Sequence, residues 1–173
     1  MSEFLVPPAS KQDIKRLAST IRKKFGLGDV EFFPVVEMIE VVLPMFDSQF
    51  NYFIVEDCEC GLDEANYDPR QNLMRIRRSV YDGAWAGNGR DRFTLAHELG
   101  HYFMHRDVDL ALSRINDRHS VPAYCNSEWQ ANTFASALLM PDHIIKDMWP
   151  NQIARICGTS LRAAEIAYKQ KKK

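Results

Sequence analysis

Between Asp13 and Phe25 the apolar residues Ile14, Leu17, Ile21 and Phe25 recur at helical spacing, and Gly26 follows as a stop. Pro34 opens a second helical stretch in which Val35, Ile39 and Val42 face inward, with Pro44 beyond its end. After Phe50 the period changes. Short runs at Tyr52–Val55, Glu64–Tyr67 and Leu73–Arg77, punctuated by Gly61 and by Asp68-Pro69, predict a small sheet of about three strands. Helical spacing returns at Arg92–His105, and again from Glu128. There Ala131, Phe134, Ala135, Leu138 and Leu139 repeat until Pro141 ends the helix, with Asn126 or Ser127 as its cap. The last periodic stretch, Ile153–Tyr168, reads as a short helix, a turn at Gly158, a Ser160 cap and a second helix. That is helix-turn-helix spacing, but it offers chiefly Arg162 to reach a base, so it is expected to pack or to present a platform to a protein partner. The pattern predicts one α+β domain over residues 1–173, with its core at about 10–168 and a solvated basic tail, Lys169–Lys173.

One helical stretch carries chemistry. Residues 97 to 101 read His-Glu-Leu-Gly-His, the H-E-x-x-H zinc-peptidase pattern. Histidines four apart lie one turn apart on a helix, ~6 Å, so both imidazoles can reach one zinc ion at ~2.0–2.1 Å. Glu98 projects ~100° round the helix from His97, near enough to take a proton from the water that the metal activates without ligating the metal itself. On the same wheel Thr94, His97, Glu98, His101 and His105 share one face, and Phe93, Ala96, Leu99, Gly100 and Phe103 form the adjoining one.

A catalytic zinc takes three protein ligands and keeps its fourth position open. Glu128, in the first turn of the second motif helix, is the best candidate for the third. Asn132, one turn on, shares its face and could hydrogen-bond the outer nitrogen of a ligating histidine. Cys125 also carries a metal-binding group three residues from Glu128, but Glu128 with Asn132 explains more. His105 would lie ~12 Å along the axis from His97, too far to share the ion, so it is read as supporting or structural. The zinc peptidases whose third histidine lies six residues after the second are excluded, because position 107 is Asp107.

Composition narrows the picture. With 22 Lys+Arg against 23 Asp+Glu the net charge is −1, which gives no general attraction to nucleic acid or anionic lipid. The most apolar region, Phe32–Phe46, is interrupted by Pro34, Glu37, Glu40 and Pro44, so no membrane span is expected. The start has no secretory pattern, and a cytoplasmic location with reduced thiols is expected for Cys58, Cys60, Cys125 and Cys157. Cys58 and Cys60 would share one face of a strand. Tyr81–Arg90 is glycine-rich but lacks the Lys-Ser/Thr of a phosphate loop, and is read as a flexible loop beside the cleft. For an oxyanion donor besides the metal, His119, Tyr124 and Tyr102 are all chemically able.

Arg90-Asp-Arg-Phe-Thr-Leu-Ala-His-Glu-Leu-Gly-His-Tyr-Phe-Met-His105, followed by Glu128-x-x-Ala-Asn-x-Phe-Ala-x-x-Leu-Leu-Met-Pro141, resembles the ImmA/IrrE family of bacterial and phage metallopeptidases. The resemblance covers roughly residues 10 to 168 and includes Ile76–Val80, where family members tend to carry a strand ending before a short helix. It implies a zincin-like α+β fold of gluzincin type with the motif on a central helix. It also implies one zinc ion per chain at His97, His101 and Glu128, and Glu98 as the base. His and carboxylate ligands also accept Mn, Fe or Co. The substrate class it implies is a helix-turn-helix transcriptional repressor encoded nearby, expected as a separate polypeptide because no room precedes the motifs for a DNA-binding domain. The alternative is a catalytically silent regulatory protein that acts by binding a repressor or toxin partner; direct nucleic-acid binding is the least favoured reading.

Overall fold

The computed structural model describes residues 4–59, 63–108 and 122–171. Helix α1, Lys11–Lys24, begins with a reciprocal cap in which the Ser10 hydroxyl accepts from the Asp13 N–H and the Asp13 carboxylate accepts from Ser10. Its buried face is Ile14, Ala18 and Ile21, and Gly26 follows at φ 71°, a conformation that costs glycine little.

The second helical stretch continues past its expected end. It runs as α2 (Val35–Glu37), a widened π turn (Met38–Val42) and α3 (Leu43–Phe46), with Pro44 inside it. A proline ring crowds the carbonyl one turn back and supplies no N–H, and the widened turn directly ahead accommodates both demands.

Strands β1 (Asn51–Val55), β2 (Ala65–Asp68) and β3 (Leu73–Arg77) form one sheet, ordered β1-β3-β2. β3 runs parallel to β1 and antiparallel to β2. The expected runs thus become strands, and β2 is left at an edge.

Two expectations fail between β1 and the motif helix. Cys58 lies in an exposed turn after β1, not on a strand; Cys60 falls outside the described residues. The glycine-rich stretch is largely helical: α4 spans Arg78–Trp85 and α5 spans Gly89–His105. Val80 and Ala84 bury one face of α4, and Gly83 stays inside it because a Cβ there would lie 2.0 Å from Asp91 Oδ2. Helix periodicity overrides glycine content when the missing side chain makes room for a neighbour.

After a short 3₁₀ turn, Ala123–Cys125, Asn126 caps α6 (Ser127–Leu139) by accepting the Trp129 N–H at 2.8 Å. Then come α7 (Asp142–Ile145), α8 (Pro150–Cys157) and α9 (Leu161–Lys171). Lys169–Lys171 is helical rather than a frayed tail, and Lys171 Nζ donates to the carbonyls of Ile145, Lys146 and Met148. The result is a small α+β domain, a three-stranded sheet with several helices. Among the described residues no helix is long and apolar enough to cross a membrane.

α5 packs along α6, and α6 along α1, around Leu95, Ala96, Leu99, Phe134, Ala135 and Leu138, all fully buried. The two helices meet at Gly100, where a Cβ would stand 2.9 Å from Ala131 Cα. We expect Gly100→Val to destabilise the domain by about 1–3 kcal/mol in urea unfolding despite its better helix propensity, because backbone atoms must give way. An unchanged midpoint would contradict the close crossing.

A second tie joins α3 to β3 and α5. The Asp47 carboxylate accepts from Asn72 Nδ2 and Tyr102 Oη, each at 2.9 Å, and pairs with Arg106. Burial opposes its charge, but these donors outweigh burial and hold its pKa below the ordinary carboxylate value. A depressed folded pKa gives stability that is present above the unfolded value and lost as pH falls through the folded one. Asp47→Asn should therefore lower stability by about 1–2 kcal/mol at neutral pH. That difference should shrink on acidification.

Candidate metal centre

His97, Glu98 and His101 all lie on α5, and Glu128 stands in the first turn of α6. The close crossing at Gly100 and Ala131 brings these two segments together, since each ligand candidate sits within about one turn of the contact. One potential ligand atom from each of His97, His101 and Glu128 lies within 4.8 Å of the others. His97 Nε2 is 3.0 Å from His101 Nε2, Glu128 Oε2 is 3.2 Å from His97 Nε2, and Glu128 Oε1 is 3.3 Å from His101 Nε2. A tetrahedral ion with ligands at ~2.0–2.1 Å separates them from each other by roughly 3.3–3.4 Å. Among the described residues Glu128 Oε1 is buried with no hydrogen-bond partner. Two imidazole nitrogens and a carboxylate converging at these separations, one oxygen unsatisfied, form a donor set that suits a divalent ion of zinc type.

The surroundings orient the cluster. His97 Nδ1 lies 3.1 Å from Asn132 Oδ1, the partner expected for its outer nitrogen. His101 and His105 face each other through their Nδ1 atoms at 3.0 Å, and His105 Nε2 is 3.0 Å from Gln130 Oε1. The face of α5 that carries these groups is interior: Glu98, His101 and His105 are each no more than 3% exposed.

Burial and neighbours set the charges. Burial pushes Glu98 up to about 7, against the pull of His97 and of the Tyr67 N–H, which donates to Oε2 at 2.8 Å. Burial also disfavours the charge on Glu128, but the imidazoles of His101 and His97 beside it prevail and hold it far below the usual carboxylate range. Burial lowers His101; in His97 the same effect is outweighed by Glu128 and the pKa rises. His105 is driven down to about 4 by burial and by His101.

The oxyanion candidates fare differently. Tyr102 donates its hydroxyl to Asp47, and burial together with that bond pushes it up to about 12, so it is committed to the α3 tie. Tyr124 is half exposed, and its main-chain carbonyl accepts from Gln130. His119 lies outside the described residues. Cys125 is no part of the cluster. Two partners escaped the sequence analysis. The Tyr67 contact is main chain and left no residue-type signal. Gln130 did leave one, because it falls on the apolar arc of α6 beside Ala131 and Phe134, where a polar side chain must find an internal partner.

A profile described as the IrrE N-terminal-like domain, a peptidase family, matches residues 51–156. The radiation response metalloprotease IrrE of Deinococcus radiodurans is 34% identical over 108 residues, 62% of this chain and 30% of that protein. The protein of the same description from Deinococcus deserti is 33% identical over 108 residues, 62% of this chain and 34% of that one. The chain spans about a third of the length of these curated relatives. A Mycobacterium tuberculosis transcriptional regulator shares the fold, with a TM-score of 0.57 at 15% identity over 88% of this chain and 45% of that chain. The chain belongs to the ImmA/IrrE family of IrrE N-terminal-like domains and is a metallopeptidase-like domain related to IrrE.

If the cluster holds a metal, protein stripped with a chelator should take up about one zinc ion per chain, and zinc at 100 times its Kd should raise stability by about 2.7 kcal/mol. Glu128→Ala should lose most of both effects in metal analysis and thermal unfolding.

Proposed function

We propose that this protein is a zinc-dependent endopeptidase with a zincin-like domain, in which His97, His101 and Glu128 hold the metal and Glu98 is the general base. The observation that carries the reading is the placement of Glu98. It is a buried carboxyl with its pKa raised to about 7, one oxygen of which the Tyr67 N–H holds, next along the helix from the first of the convergent ligands. A zinc ion held by His97, His101 and Glu128 would supply Lewis acidity for a scissile carbonyl and for the water that attacks it. Glu98 takes the proton of the attacking water on Oε1 and returns it to the leaving amine, while the Tyr67 N–H keeps Oε2 fixed. A base poised near the working pH does both tasks well.

β2 supports a substrate site. It is an edge strand, and its Tyr67 contacts the base. An extended peptide paired along such an edge would be held by main-chain bonds with little regard to its sequence. The substrate we propose is a helix-turn-helix transcriptional repressor. Support comes from the relatedness to radiation response metalloproteases and from the expectation drawn from the motifs.

The experiment is cleavage of candidate repressors, encoded near the gene, by wild type and by Glu98→Gln. Wild type should cut one of them in a chelator-sensitive way, and Glu98→Gln should still bind zinc yet lose at least about 100-fold in rate. Undiminished cleavage by Glu98→Gln would sink the base assignment. Zinc-replete protein that binds a repressor tightly without cutting it would establish a silent regulatory role instead.

A further inference from the structure

His105 and Gln130 are buried polar side chains for which the proposed chemistry has no use, 1% and 2% exposed. Gln130 Nε2 lies 2.7 Å from the Tyr124 carbonyl and 2.9 Å from the Pro7 carbonyl. Carbonyls only accept, so the atom between them is the amide nitrogen and both its N–H groups are engaged. The orientation of the amide is thereby settled, and Oε1 is presented as an acceptor 3.0 Å from His105 Nε2. That nitrogen must then carry the proton. A neutral imidazole has one N–H, so His105 Nδ1 is bare.

The bare nitrogen faces His101 Nδ1 at 3.0 Å, which fixes the His101 proton on Nδ1. His101 Nε2 is left with its lone pair, directed at Glu128 and His97. Each step follows from the one before, and the chain starts at main-chain carbonyls, whose polarity cannot reverse. The first of those carbonyls is itself well held: Val6 N donates to Cys125 O and Ala9 N to Tyr124 O, both at 3.0 Å, and the Phe4 ring stands edge-on to His105.

We propose that His105 and Gln130 are positioning residues: anchored on the Pro7 and Tyr124 carbonyls, they lock His101 in the tautomer that offers Nε2 to a metal. The proposal rests on the metal-binding reading of the cluster, and its tests separate the two. Without the chain, the isolated imidazole would divide between tautomers and often present a protonated Nε2. Partners of this kind typically contribute 10–100-fold to metal affinity.

Nitrogen-15 NMR of histidine-labelled, metal-free wild type reads the tautomers directly. His101 as Nδ1–H and His105 as Nε2–H are expected; His101 protonated on Nε2 overturns the proposal. Zinc affinity from competition with a chelating dye gives the second readout. Gln130→Met and His105→Phe, which retain apolar bulk, should each weaken binding about 10–100-fold. The double variant should be no weaker than the poorer single one, since either change breaks the same chain. Unchanged affinity, or losses that multiply, would overturn it. Wild type with the expected tautomers but no zinc uptake would refute the metal reading and leave the chain standing.

Discussion

Everything at the candidate site depends on how closely α5 and α6 approach. Gly100 and Ala131 let the two backbones meet where an added Cβ would fall 2.9 Å from Ala131 Cα. His101 adjoins Gly100, His97 precedes it by three residues, and Glu128 precedes Ala131 by three, so each donor lies within about a turn of the contact. A metal tolerates ligand-distance errors of only ~0.2 Å. Separating the helices by a methyl group would move Glu128 away from both histidines while leaving each helix intact. The small residues at the crossing are thus as much a part of the donor set as the donors.

That same closeness makes the site interior, and burial gives its groups their uses. A solvated Glu98 would be an ordinary carboxylate, fully ionised and weakly basic; at 1% exposure, with one main-chain donor, it is raised to about 7. Glu128 has the same chemistry and the opposite fate, because two imidazoles reach it and hold it ionised. Two glutamates within one site are driven apart, one towards proton transfer and the other towards charge, by what stands next to them. Neither outcome is a property of the residue type.

What could be seen in the sequence follows the range of the interaction. The pairing of His97 with His101, the placement of Glu98 and the sharing of a face by Glu128 and Asn132 are all consequences of helix geometry over four residues. They are legible in one dimension, as are the three strand runs. Joining Glu128 to the histidines required a premise about zinc ligation, because nothing local connects residue 128 with residue 97. Pro44 and Gly83 misled for a related reason: Pro44 is accommodated by a widened turn and Gly83 by the Asp91 carboxylate, neither of them visible in residue type. The exchange of Tyr102 from oxyanion candidate to Asp47 partner is another, since its hydroxyl meets a residue 55 positions earlier.

The sheet edge places a physical limit on how a substrate could bind. Arg77 N donates to Glu64 O, so residue 64 faces β3; with alternation along an antiparallel pair, Ala65 and Tyr67 turn their main-chain groups outward. The outward Tyr67 N–H is already engaged by Glu98. A peptide laid along β2 must therefore pair around this donor or take it from the base. If it takes the donor, Glu98 loses the bond that lowers its pKa, and its affinity for a proton rises, which would suit the base proposed for it. If it pairs around the donor, the base keeps its fixed orientation and the strand holds the peptide from one side of that point. Either way, the strand that would receive the backbone and the carboxyl that would act on it share one hydrogen bond, so binding and chemistry at this edge cannot be independent.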